Sequence, residues 1–138
     1  MPELPLVRGR ALGDPVGWRE GRPVALQVLL QAAHALAGRL QRGGNCINLC
    51  EDRLNFILGY AAALIARRTT LLPHSRAPEV LDELRRRHAG AQTIADRDDD
   101  AHPGGVRIDA RAWPGAGMSV PVPSIPADHA AAILFTSG

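Results

Sequence analysis

A chain of 138 residues with 46% hydrophobic and 22% charged residues can bury one domain-sized core and is too apolar for global disorder. Its formal charge of +2 rests on 16 basic residues, all arginine, which excludes a lysine Schiff base or a lysine phosphate clamp. The charge is mild and spread along the chain, and aromatics are 4%, so a DNA-binding arm or a base-stacking surface is poorly supplied.

The opening Met-Pro-Glu-Leu-Pro-Leu lacks the charged-then-apolar layout of a signal peptide. Residues 1–22 are rich in Gly, Pro and Arg, show no period, and read as an irregular lead-in, with Trp18 expected to pack onto the domain. From Pro23 the pattern turns helical. Leu26, Leu29, Leu30, Ala33, Leu36, Ala37 and Leu40 share one face; Gln27, Gln31, His34 and Gln41 share the other, where His34 is expected to be solvated. Pro23 suits a first helical turn, and Gly43 and Gly44 end the helix.

Asn45–Cys50 is a strand candidate that carries both cysteines of the chain. Cys46 and Cys50 fit no zinc spacing, so burial as small apolar residues is expected, in a reduced, cytoplasmic chain. Asp52 should cap a second helix over residues 53–66, apolar almost all round and hence buried on several sides, with Arg67 and Arg68 favourably charged at its end. Its most apolar stretch, residues 56–65, is too short to span a bilayer, which needs about 20 residues. Thr69–Leu72 follows as a strand, Pro78 opens a third helix that Gly90 ends, and Gln92–Ala95 is the next strand. Short strands joined by helices pair in parallel through right-handed crossovers, so residues 45–95 predict a parallel βαβαβ layer of the α/β class.

Beyond it, the acidic run Asp96 to Asp100 lacks the glycine and the glutamate a calcium loop requires and reads as a solvated loop. Val106–Ala110 is a candidate edge strand, and the proline-punctuated residues 111–127 read as extended. Glu51, Asp52, Arg53 and His74 fall after strands, on the edge where open α/β sheets place ligands; Asp52 is expected to cap rather than catalyse, Arg53 to pair locally, and His74 is a candidate pocket residue set against an ordinary loop residue. The last run, Ala131 to Phe135, shows no alternation and reads as a strand buried on both faces. It hands the chain to Thr136, Ser137 and Gly138, small residues whose hydroxyls and backbone N–H groups suit phosphate oxygens.

Three segments together resemble the adenylate-forming (AMP-binding) superfamily of acyl-CoA synthetases and aryl-acid ligases. They are the amphipathic helix from Pro23, the stretch from Asn48 through Leu64 followed by Thr70-Leu-Leu-Pro, and Ala132-Ile-Leu-Phe-Thr-Ser-Gly. The wording around residues 48–73 looks closest to the AMP-ligases of aryl-polyene and xanthomonadin-type pigment clusters. The resemblance implies that residues 23–138 are a partial N-terminal α/β subdomain of an AMP-binding domain, truncated at the phosphate loop. For the full-length family it implies ATP and Mg²⁺ as cofactors, a carboxylic acid substrate, and CoA or an acyl carrier protein as the thiol partner, with no cofactor expected to bind tightly to this chain. Thr136, Ser137 and Gly138 would open the loop around the leaving pyrophosphate, and no catalytic residue would lie within the chain. The expectation is therefore the front part of an acid–thiol ligase, inactive alone, with no nucleic-acid partner and no membrane span. The alternative is a stand-alone α/β binding or interaction module whose terminal strand is an edge or dimer contact.

Overall fold

The computed structural model describes residues 2–115 and 119–137. In chain order its elements are β1 (Glu3–Pro5), β2 (Pro15–Arg19), β3 (Arg22–Ala25), α1 (Leu26–Ala37), β4 (Asn45–Asn48), α2 (Arg53–Ile65), β5 (Thr69–Leu72), α3 (Pro78–Arg87), β6 (Gln92–Ala95), β7 (Val106–Arg107), β8 (Ser124–Pro126) and β9 (Ala132–Leu134). Five of the strands form one all-parallel sheet in the order β7-β6-β4-β5-β9. The predicted βαβαβ layer is its centre: β4 pairs β5 on one side and β6 on the other. The direction of travel therefore reverses at β4, and the helices of the two crossovers fall on opposite faces.

Each helix follows from local chemistry. The Asp52 carboxylate accepts from the Asn55 N–H and caps α2, as its position before an apolar run predicts. Small residues let α2 lie close to the sheet; a Cβ on Gly59 would stand 2.9 Å from Asn48 Nδ2 and 3.0 Å from Ile94 Cγ2. α3 begins on Pro78, carries Glu79 in its first turn and Arg85, Arg86 and Arg87 in its last, all favourable to the helix dipole. α1 and α2 pack together over one sheet face around Leu30, Leu36, Leu58, Ala62, Cys46 and Ile94. α3 covers the other face with Leu81 and Leu84 against Ile47, Leu71 and Ala95. Burying a leucine such as Leu30 or Leu58, both fully enclosed, contributes about 1.5–3 kcal/mol each.

Arg68 departs from its expected role. It does not sit as an exposed charge at the end of α2 but is 2% exposed. Its guanidinium donates to the carbonyls of Gln41, Gly43, Asn45 and Gly90, and its Nε to Cys46 Sγ. It thus joins the α1–β4 loop to the loop before β6 at the amino edge of the sheet. Arg67 takes the left-handed conformation (φ 60°) that turns the chain out of α2 into β5.

Four expectations need correction. Residues 1–22 are not an irregular lead-in: β1 pairs with β8 far along the chain, and β2 pairs with β3 across a two-residue turn. Glu20 and Gly21 both hold positive φ there, as a hairpin whose turn matches the strand twist requires. Trp18 does not pack inward. Its neighbour Gly17 faces Leu54 of α2, so by strand alternation Trp18 faces outward and is 65% exposed. α1 starts at Leu26 rather than at Pro23, because Pro23 is held opposite Trp18 in the hairpin. Finally, β9 is a sheet edge rather than a strand buried on both faces. Leu134 is 73% exposed and Ile133 38%, since β9 has β5 on one side only among the described residues.

Candidate functional site

In a parallel sheet every strand delivers the chain to the same edge, so the residues after β4, β5, β6 and β9 gather at the carboxyl edge. Two constellations form there.

The first lies between β4 and β6, at the point where the sheet reverses direction. The Asp96 carboxylate, just past β6, accepts from the backbone N–H groups of Glu51 and Asp52 at 3.0 Å and from Asn55 Nδ2 at 3.1 Å. Partial burial pushes this carboxyl up, but the three hydrogen bonds outweigh it and hold it below the usual aspartate range. Asn55 Oδ1 accepts from Trp113 Nε1 at 2.7 Å, and the Arg19 guanidinium lies 4.9 Å over the Trp113 ring while pairing with Asp52 at 2.7 Å. The backbone N–H groups just ahead of α2 are therefore taken by the protein's own anion. Among the expected edge residues, Asp52 caps as predicted, and Glu51 pairs with Arg97 at 2.8 Å. Asp96 was expected to be a solvated loop residue; it is half-buried, with its carboxylate held by three hydrogen bonds. Its signal was its place as the first residue after the strand beside the reversal, hidden within a longer acidic run.

The second constellation lies at the ends of β5 and β9. A cavity of about 250 Å³ is lined by Pro73 and His74 from the β5 end, by Val80, Glu83, Leu84 and Arg87 of α3, and by Phe135 and Thr136 from the β9 end. The sequence-predicted His74 and Thr136 thus meet in one pocket. Ser137 follows Thr136, exposed at the same edge; Gly138 lies outside the described residues. Phe135 anchors this corner by packing on the α3-side core and meeting His88 edge to face at 5.8 Å. Glu83 holds Arg87 at 2.7 Å and also pairs with Arg86, so the cationic wall of the pocket is compensated from its own helix. The pocket offers an exposed hydroxyl and an imidazole for a polar ligand group, and Val80, Leu84, Phe135 and Pro73 for an apolar one. Sequence reading missed Glu83, Arg87 and Phe135, because nothing local shows that α3 and the β9 end share a wall.

The cysteines are buried as expected and both are unpaired thiols. Burial pushes both up; for Cys46 the neighbouring Arg68 opposes the rise, and Cys50, with Asp96 nearby, is pushed up to about 12.

No protein-family profile and no curated protein matches the chain. Solved structures do. The o-succinylbenzoate CoA synthetase MenE of Bacillus subtilis, in complex with the acyl-adenylate intermediate OSB-AMP, superposes with a TM-score of 0.61 at 18% identity over 86% of this chain and 34% of that one. The N-terminal subdomain of Klebsiella oxytoca NpsA gives 0.57 at 22% identity, covering 86% and 33%. NpsA–ThdA, an artificially fused adenylation–PCP di-domain of the same organism, gives 0.53 at 21%, covering 86% and 24%. The chain spans about a third or less of each matched structure. At these identities the likeness is one of fold: a mixed α/β layer with a five-stranded parallel sheet, matching part of the N-terminal subdomain of adenylate-forming enzymes. No helix among the described residues is long and apolar enough to cross a membrane.

Proposed function

We propose that this chain is the front part of an ATP-dependent acid–thiol ligase and is inactive in adenylation alone. The observation that carries the reading is β9: it lies parallel to β5 and delivers Thr136 and Ser137 to the carboxyl edge of a sheet whose fold matches adenylating enzymes. In that chemistry a carboxylate attacks the α-phosphorus of ATP, pyrophosphate leaves, and a thiol then takes the acyl group. Hydroxyl and N–H donors around the departing phosphates stabilise charge that develops during the attack. Thr136 and Ser137 begin that donor set, with Gly138 as its next member.

An aromatic acid of the pigment-cluster kind is favoured as substrate by the wording of residues 48–73. The thiol partner is CoA or a carrier-protein phosphopantetheine, as the names of the similar structures suggest. A cytoplasmic setting suits two unpaired cysteines. ATP–pyrophosphate exchange tests the reading. The 138-residue chain should show none, and a version extended past Gly138 through a complete phosphate loop and the remaining subdomains should show it with a suitable acid. Exchange by the 138-residue chain, or none by the extended protein with any of a panel of acyl and aryl acids, overturns it.

The exposed edge of β9 favours a second reading, a stand-alone interaction module. Tight binding of a small molecule by a stable monomer of the 138-residue chain would support the module over the ligase fragment.

A further inference from the structure

The constellation between β4 and β6 sits where doubly wound sheets open a crevice for ligands, and a cavity of about 410 Å³ lies there. Two successive backbone N–H groups, those of Glu51 and Asp52, aim at one place beside it. Such a pair forms a concavity that suits an oxyanion. The pair belongs to the loop between β4 and α2 rather than to a helical turn. What it holds is a side chain delivered by β6. Asp96 Oδ1 accepts from Glu51 and Oδ2 from Asp52, each at 3.0 Å, and Asn55 Nδ2 adds a third bond at 3.1 Å. The carboxylate is spread across the donors as a ligand's carboxylate, or two oxygens of a phosphate, would be. Capping does not require it, because Asp52 already caps α2.

The charges around the cavity point the same way. Asp52, Asp96 and Asp109 line it against Arg19 and Arg107, so a further anion meets more carboxylate than guanidinium. Asp98 answers Arg107 from outside and Arg111 answers Asp109, so these outer pairs leave the balance unchanged. Without Asp96 the two charges would be equal in number and three donors would stand free. We propose that Asp96 is a resident anion, which fills the oxyanion cradle of this crevice and keeps phosphate- and carboxylate-bearing ligands out of it. Its carboxyl is suited to that role: partial burial pushes it up, the hydrogen bonds outweigh this, and it stays ionised at neutral pH. The inference stands apart from the ligase reading, since it concerns which crevice refuses an oxyanion, whatever the other end of the sheet accepts.

Nuclear magnetic resonance of isotope-labelled Asp96→Ala, titrated with sodium acetate and separately with sodium phosphate, tests the proposal, with sodium chloride at equal ionic strength as the reference. The expected result is saturable movement of the Glu51 and Asp52 amide resonances in the variant with either oxyanion. Chloride should not produce it, and the wild-type chain should not show it. Acetate should also raise the variant's urea midpoint, relative to chloride, by more than it raises the wild type's, because a ligand bound only by the folded chain stabilises it. An Asp96 with a merely structural role would leave the variant destabilised and indifferent to the kind of anion. Should Asp96→Ala fail to fold, Asp96→Ser, with a short neutral side chain, takes its place. A folded variant without oxyanion-specific movement, or equal movement in the wild-type chain, overturns the proposal.

Discussion

Replacing Arg68 by methionine keeps much of the stem's apolar volume and deletes a guanidinium that is 2% exposed. Four backbone carbonyls, those of Gln41, Gly43, Asn45 and Gly90, then lose their donor together, and Cys46 Sγ loses a fifth contact. A buried acceptor left unpaired costs about 1–3 kcal/mol. The Gln41 and Gly43 carbonyls belong to a partly exposed loop that water can enter, so the lower end of that range applies to them. The expected loss is about 3–5 kcal/mol, a large share of the stability of about 5–15 kcal/mol usual for a domain. Arg68→Lys should recover part of it, since an ammonium has three donors for four carbonyls. Urea denaturation followed by circular dichroism measures the difference. A loss under about 1 kcal/mol for Arg68→Met would refute the claim that this one side chain ties the two loops.

Asp96→Ala should cost about 2 kcal/mol, below the full worth of three charge-assisted bonds because the site is partly solvated. Asp96 is held below its usual range, so its contribution is present above the unfolded value of about 4 and is lost as pH falls through the lower folded value. Acid titrations of stability should therefore show a steeper fall below about pH 4 in the wild-type chain than in Asp96→Asn; equal slopes would sink the assignment. Cys50, pushed up to about 12 and buried, should resist a thiol reagent at neutral pH until urea unfolds the chain, as should Cys46. Mass spectrometry of the labelled native protein checks this, and rapid labelling would contradict the burial.

The central layer was legible because its signals are local. Asp52 precedes an apolar run, Pro78 opens a helix, and the strands at 45–48, 69–72 and 92–95 are spaced as crossovers demand. What was missed depends on partners distant in sequence. β1 is three residues long and exists by pairing with Ser124–Pro126, which no window around Glu3 contains. The doublet Arg67-Arg68 reads as two solvated charges, yet one turns the chain and the other is buried. The run at Ala131–Phe135 announced a strand, and the strand is there; composition could not say whether it would be interior or edge. At the pocket, His74 and Thr136 were found as residues that follow strands. Arg87 and Glu83 lie on a helix whose neighbour at that wall is distant in sequence, and they bond to each other.

The pairing of Glu3–Pro5 with Ser124–Pro126 has a consequence for the order of events during synthesis. Glu3–Pro5 leaves the ribosome long before it finds its partner, because every residue up to Ser124–Pro126 must emerge before its complement exists. Closure of so long a loop is late and slow. Until then, a chaperone that reaches Glu3–Pro5 meets a loose segment, and only afterwards a hemmed seam.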